Sequence, residues 1–421
     1  MNAIRKLIFP NIPAQYRSNF IHLFLDIGWF GILSGSSVNF INVYAARIGA
    51  TGFQIGLMGA MAAFINLIIA IPAGQWLEKR PIGKAVFWTS VLYRVGFLAW
   101  VFLPWAFATN HKVEIWALII INLLMGIPLT ALGLGFNVLF AASVPGEWRA
   151  YVAGTRNVVL SVAFMASSLV SGYILERVSF PLGYQIIFMI GCIGAGMSSF
   201  HLYFIKPLAG DSQPEPTPRS RDSVSGAGSA RKRIGESLRL ELLKTRYRVV
   251  LLVMLGFHLA QYLAIPIFPL YFVNELHLTD EHIGIGTALF YLTVLLGSTQ
   301  LSRIVTRLGH KTVTGLGVVG LGLYPIFLSL SHTPLHFYAV SFIGGFSWSL
   351  VGGAYANYLL ENIPKNDMPA HLAWYTVVLN LCVLTASLLG PVIADQIGLA
   401  TALLLFGLLR VVAGAALLKW G

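Results

Sequence analysis

The sequence predicts an all-α integral membrane protein: twelve transmembrane helices in two bundles of six. Three observations carry that reading. Twelve stretches are apolar for about 20 residues or more, the length a helix needs to cross a hydrocarbon core about 30 Å thick. Lys and Arg gather in alternate connections, and the two halves repeat short segments in the same order. Hydrophobic residues make up 57% and charged residues 10%, against about 25% charged in a soluble domain. The mean hydropathy is +0.75. Only helices or closed barrels satisfy their backbone groups in lipid, and these runs are too long for barrel strands.

Span 1 (19–45) leads through Ile48–Gly56 into span 2 (52–77), and Arg80–Lys84 turns the chain into span 3 (85–108). Span 4 (114–142) joins span 5 (150–176) through Val144–Ala150, and span 6 (183–205) closes the first half. Pro207, Pro214, Pro216 and Pro218, then Ser225, Gly226, Gly228 and Ser229, give 207–233 no apolar period, so it should be disordered. Residues 234–246 read as a short basic amphipathic helix on the membrane face, or as a plain solvated tether. Span 7 (249–274) contains Pro266 and Pro269, which should kink or break it. Spans 8 (281–302) and 9 (312–331) flank a basic loop, and spans 10 (335–361), 11 (370–395) and 12 (399–419) complete the second half. The expected domains are 1–206, a linker 207–248, and 249–421.

Charge gives the orientation. Arg47, Lys112 and Arg177 are the basic residues beside the loops of one side. The other side carries Arg5, Lys6, Arg17, Lys79, Arg80, Lys84, Arg149, Arg303, Arg307, Lys311, Lys365 and Lys419, with more in the linker. That bias places both termini and the linker in the cytoplasm. No cleavable signal peptide is visible, so a plasma or inner membrane is expected. The net charge of +12 sits in loops and linker rather than on a folded basic face, which argues against nucleic acid. Cys192 and Cys382 lie in apolar runs and make neither a disulfide framework nor a metal spacing. No cofactor or metal motif is present: "GLGVVGLG" (Gly315–Gly322) lies inside span 9 with no soluble strand before it. Without a nucleophile–base constellation, an enzyme is not expected.

The halves match at four places. Ile48–Gly56 answers Leu276–Gly284, and Arg80–Lys84 answers Thr306–Lys311. Val144–Ala150 answers Ile363–Ala370, and Ser167–Glu176 answers Ala386–Asp395. Parallel six-span repeats place a solute site near the midplane between the halves. On these residues the chain resembles the major facilitator superfamily, over essentially its whole length. The family's motif after span 2, roughly G-x-x-x-D-R-x-G-R-R/K, is met loosely by Gly74, Glu78, Lys79, Arg80, Gly83 and Lys84. The loop after span 8 offers Arg303, Arg307, Gly309, His310 and Lys311. The resemblance implies a role for these loops in holding the outward-facing state; the plain alternative is that they anchor topology. Span 4 carries Asn122 and no Arg, and Gly390-Pro391 sits in span 11 rather than 5, both unlike typical multidrug antiporters.

Ionisable groups at membrane depth are costly, face the protein interior and are commonly functional. Asp26 is foremost, with His22 one turn earlier on the same face. It is a candidate for proton or solute coupling, or for a structural salt bridge to Arg94 or Arg156. Arg94 reads as structural charge; Arg156 either attracts an anionic solute or snorkels to the cytoplasm. His258, Gln261 and Tyr262 share one face of span 7 just before the prolines. Tyr291, Asn357, Asn380, Asn122, Asn137 and Trp348 are weaker candidates, and Asn39 and Asn42 lie near the outer end of span 1. Gly126, Gly133 and Gly135 in span 4, and Gly344, Gly345, Gly352 and Gly353 in span 10, suit sliding helices or merely close packing. The expected function is secondary transport of a small organic solute by alternating access, as a monomer in the bilayer, with protons as a candidate coupling ion. The rival is a non-transporting sensor or scaffold on the same bundle.

Overall fold

The computed structural model describes residues 12–208, 240–245, 247–364 and 368–421. α1 runs Ala14–Arg47, with a π-helical stretch at Ser34–Val38. α2 (Gly52–Glu78), α3 (Ile82–Ala106), α4 (His111–Ser143), α5 (Gly146–Arg177) and α6 (Leu182–Tyr203) follow. A 3₁₀ turn at Leu240–Lys244 precedes α7 (Tyr247–Glu275). α7 is α-helical to Ala264, breaks, resumes at Ile267–Leu270 and ends in a π-helical turn, Tyr271–Glu275. The run Asp280–Ser329 holds two spans parted at Gly309, whose φ of 78° and ψ of 159° suit glycine alone. These are α8 (280–308) and α9 (310–329). α10 (Pro334–Glu361), α11 (Met368–Ile397) and α12 (Leu399–Trp420) bring the spans among the described residues to twelve. No β-strand occurs among the described residues.

The first repeated segment has a local cause. Thr51 caps α2 by accepting from Gln54 N, and Gln54 Oε1 accepts in return from Thr51 N at 2.9 Å. Thr279 caps α8 in the same way, accepting from His282 N, while its hydroxyl meets His282 Nδ1 at 2.7 Å. A polar residue three positions after a Thr cap therefore opens the second span of each half.

Three expectations change. Arg303 and Arg307 are not in a loop: α8 continues to residue 308, because nothing between Ser302 and Gly309 breaks a helix, and the two stand one turn apart on it. Glu78 likewise closes α2, one residue past the expected end of span 2, while Gly74 lies inside that span as expected. At 234–246, Leu240–Lys244 forms a 3₁₀ turn rather than an amphipathic α-helix, and 234–239 and 246 fall outside the described residues, as does nearly all of 207–233.

The chain divides into two compact units. One holds the described residues of α1–α6 with Leu278–Leu292, the opening of α8; the other holds the remaining described residues from Leu240 to the C-terminus. In the first, α1 packs on α5 and α6, and α4 on α2 and α3. Phe20, Leu23, Val86, Leu139, Val152 and Leu202 share its core. In the second, α7 packs on α11 and α12, over a core that includes Met254, Phe257, Leu321, Val351 and Leu417. Each unit has a place where two backbones touch. A Cβ on Gly35 of α1 would strike the carbonyl oxygen of Phe164 on α5. A Cβ on Gly390 of α11 would strike that of Leu263 on α7. First and fifth helices of each repeat meet in both cases, with the glycine on opposite partners.

Candidate functional site

Four helices of the first unit converge on Asp26, which is 3% exposed. α5 brings Arg156, whose Nη1 and Nη2 both donate to Asp26 Oδ2 at 3.2 Å. α3 brings Arg94, with Nη2 3.8 Å from Oδ1. α6 brings Ser198, whose hydroxyl donates to Oδ1 at 2.5 Å. The arginines are themselves braced. Arg94 Nη1 donates to Ser90 Oγ at 2.6 Å and Ser199 Oγ at 2.8 Å, and the two hydroxyls meet at 2.7 Å. Arg156 Nη1 also donates to Leu23 O at 2.6 Å, and its guanidinium lies 4.7 Å from the centre of the Phe136 ring. All three charges are buried. Arg156 therefore turns inward instead of snorkelling, because the carboxylate and the Leu23 carbonyl offer what the headgroup region would. Two guanidiniums against one carboxylate leave a positive charge in excess, and Arg94 Nε has no partner.

His22 does share the Asp26 face of α1, but its Nδ1 meets His201 Nδ1 at 3.0 Å. In the second unit, His258 Nε2 meets the Tyr375 hydroxyl at 2.8 Å, with Tyr262 stacked obliquely nearby. Gln261 Oε1 is buried without a partner. Tyr291 lies flat on Phe164 at 3.9 Å, within the first unit. Asn122 and Asn380 donate to carbonyls of their own helices, Leu118 and Thr376, at 2.9 and 2.8 Å, and Asn357 is exposed. No cluster among the described residues gathers these three. At the α2–α3 junction Arg80 lies over the Trp76 ring at 4.7 Å. Glu78, Lys79, Lys84, Arg303, Arg307 and Lys311 form no ion pair among the described residues.

Sequence reasoning missed four groups. Ser198 completes the Asp26 shell, and a hydroxyl in an apolar helix gives little signal. Glu114, fully buried, accepts from the Tyr44 hydroxyl and meets His111 Nδ1 at 3.0 Å. Asp280 takes Arg47 Nε and Nη2 at 2.9 Å and the Tyr184 hydroxyl at 2.9 Å. Arg410, 1% exposed in α12, has no acidic partner among the described residues. Its Nη1 donates to Leu321 O at 2.9 Å, and its Nη2 to Ala260 O and Gln261 O at 3.2 Å. Leu321 stands one turn before Pro325, which has no N–H to return, and Gln261 stands one turn before the break in α7. Arg410 thus supplies donors beside the interruptions of two helices, to Leu321 O before Pro325 and to Ala260 O and Gln261 O before the break in α7. A Pro325→Ala change restores the Leu321 partner, so it should recover about 1 kcal/mol of what Arg410→Met loses. A double-mutant cycle of melting measurements reads this; strict additivity would refute the assignment.

Residues 250–421 match the family model of the Major Facilitator Superfamily. A cis,cis-muconate transport protein of Acinetobacter baylyi is 22% identical over 240 residues. The alignment takes in 56% of each chain, so this chain spans little more than half of the length of that relative. A D-xylose-proton symporter structure covers 97% of this chain and 98% of its own at a TM-score of 0.71 and 16% identity. A structure of the nucleoside transporter NupG covers 97% and 99% at 0.60 and 14%. A bacterial homologue of the iron transporter ferroportin, in an inward-facing state, covers 97% and 99% at 0.71 and 14%. At these identities the structures speak for the fold.

Proposed function

We infer that this chain is a secondary transporter of the Major Facilitator Superfamily, moving a small organic acid across the membrane by alternating access. The observation that carries this reading is the Asp26–Arg94–Arg156 cluster, a buried group with one positive charge in excess. Uncompensated charge at membrane depth is costly, and an anionic solute would relieve it. The name of the muconate relative points to the same solute class. We place both termini in the cytoplasm and the protein in an inner membrane, from the charge bias of the loops. Glu78, Lys79, Lys84, Arg303, Arg307 and Lys311 are assigned to gating, as charges free to pair in another state.

Counterflow in proteoliposomes tests the reading. Preloaded unlabelled muconate should drive uptake of labelled muconate, and Arg156→Gln should slow it about tenfold or more, as expected for a lost charge-assisted hydrogen bond. Exchange of neutral sugars with no exchange of any mono- or dicarboxylate would reject the anionic solute. Proton coupling through Asp26 is a separate matter: an Asp26→Asn protein that transports with the parent's pH dependence removes that role.

A further inference from the structure

A groove of 560 Å³ runs along the seam of α7 and α12. Val249, Leu252, Val253, Gly256, Leu259 and Leu263 line it from α7; Leu409, Val412, Ala416 and Trp420 line it from α12. Several of these are open to the outside, Leu252 at 61% and Val412 at 64%. From residue 249 to 263 it follows about 21 Å of helix, more than half the thickness of a hydrocarbon core of about 30 Å.

A cation adjoins the lining on each wall at one end. Arg248 precedes Val249, and Lys419 precedes Trp420, with its ammonium 4.9 Å from that ring. Neither Tyr247–Ala264 nor Leu399–Trp420 contains a single Asp or Glu. The far end reaches the break in α7 beside Arg410, which ties the two helices together. An open, oily groove of leaflet depth, with a cation one residue from its lining on each wall and no acid on either helix, matches an anionic phospholipid. We propose that the α7–α12 groove is a binding site for one such lipid, with an acyl chain along Leu252–Leu263 and the headgroup phosphate at Arg248 and Lys419. The site is independent of the solute reading, and its occupant would brace the seam next to the α7 break.

Native mass spectrometry of the full-length protein, released from detergent with phosphatidylglycerol or phosphatidylcholine of the same chains, tests it. One phosphatidylglycerol should stay bound where phosphatidylcholine is lost. The Arg248→Gln/Lys419→Gln variant should need about thirtyfold more phosphatidylglycerol for the same occupancy, from two surface cations. Gly256→Leu fills the groove without a backbone clash, since the nearest atom to its Cβ is Ala413 Cβ at 3.9 Å. It should abolish the retained lipid while leaving the muconate counterflow proposed above measurable. Equal retention of both lipids by the parent, or full retention by the charge variant, overturns the proposal. So does a dimer that Leu252→Arg dissolves, which would assign the groove to a second copy. If Gly256→Leu fails to fold, the charge variant alone decides.

Discussion

Replacing Asp26 with alanine should cost about 3–5 kcal/mol of stability, the range for removing one partner of a buried ion pair. The carboxylate is the acceptor for both arginines and for Ser198, so its loss strands two guanidiniums where little water reaches. The purified protein should melt well below the parent. Removing one stranded cation as well, in Asp26→Ala/Arg156→Met, should recover a large part of the loss. Replacing all three charges by apolar residues of similar size should come out near neutral in stability, because desolvating the ions already offsets much of their attraction. Such a protein would retain its fold and lose transport. An Asp26→Ala protein that melts with the parent would mean that the cluster contributes nothing to folding.

Gly390→Val should lower stability by about 3 kcal/mol or more, at the upper end of overpacking effects. A Cβ there meets the Leu263 carbonyl oxygen, a backbone atom with no rotamer to yield. Gly35→Val should behave alike against Phe164 O. Gly196, whose added Cβ meets nothing within 4 Å, is the internal control: Gly196→Val should change the melting temperature little beyond its helix propensity. If Gly390→Val and Gly196→Val melt together, backbone approach at α7–α11 is not what holds that unit.

The spans were legible because the bilayer sets their length and the prolines of α7 forbid its hydrogen bonds. Pro266 and Pro269 announced the break that the structure places after Ala264. The π-helical stretch of α1 gave no such notice: Ser34–Val38 contains no proline, and Ser36 Oγ donates to Ile32 O at 2.7 Å only once the helix is formed. Of the candidate site residues, Asp26, Arg94 and Arg156 stood out as charges in apolar runs, and the structure brings them into one cluster. The asparagines Asn122, Asn357 and Asn380 could not be ranked from sequence, since a lone amide can turn back onto its own helix, as two of them do. Arg410 carried the same signal as Arg94, a cation deep in an apolar span, but its partners are carbonyls, and no residue type in the sequence marks a free carbonyl. Pro325 is the one visible clue, and it acts at a distance of one turn.

The fused glycine contacts dictate where either unit can bend. Gly35 lies against Phe164 and Gly390 against Leu263 with no room for a side chain, so each helix pair meets at backbone distance. In α1 the wide turn at Ser34–Val38 contains Gly35 itself, so its irregular ladder lies inside the contact; in α7 the gap follows Leu263 by one residue, and the wide turn at Tyr271–Glu275 stands beyond it. The two repeats are therefore not jointed alike: α7 keeps an irregular turn clear of its glycine contact, whereas that of α1 is pinned by its own.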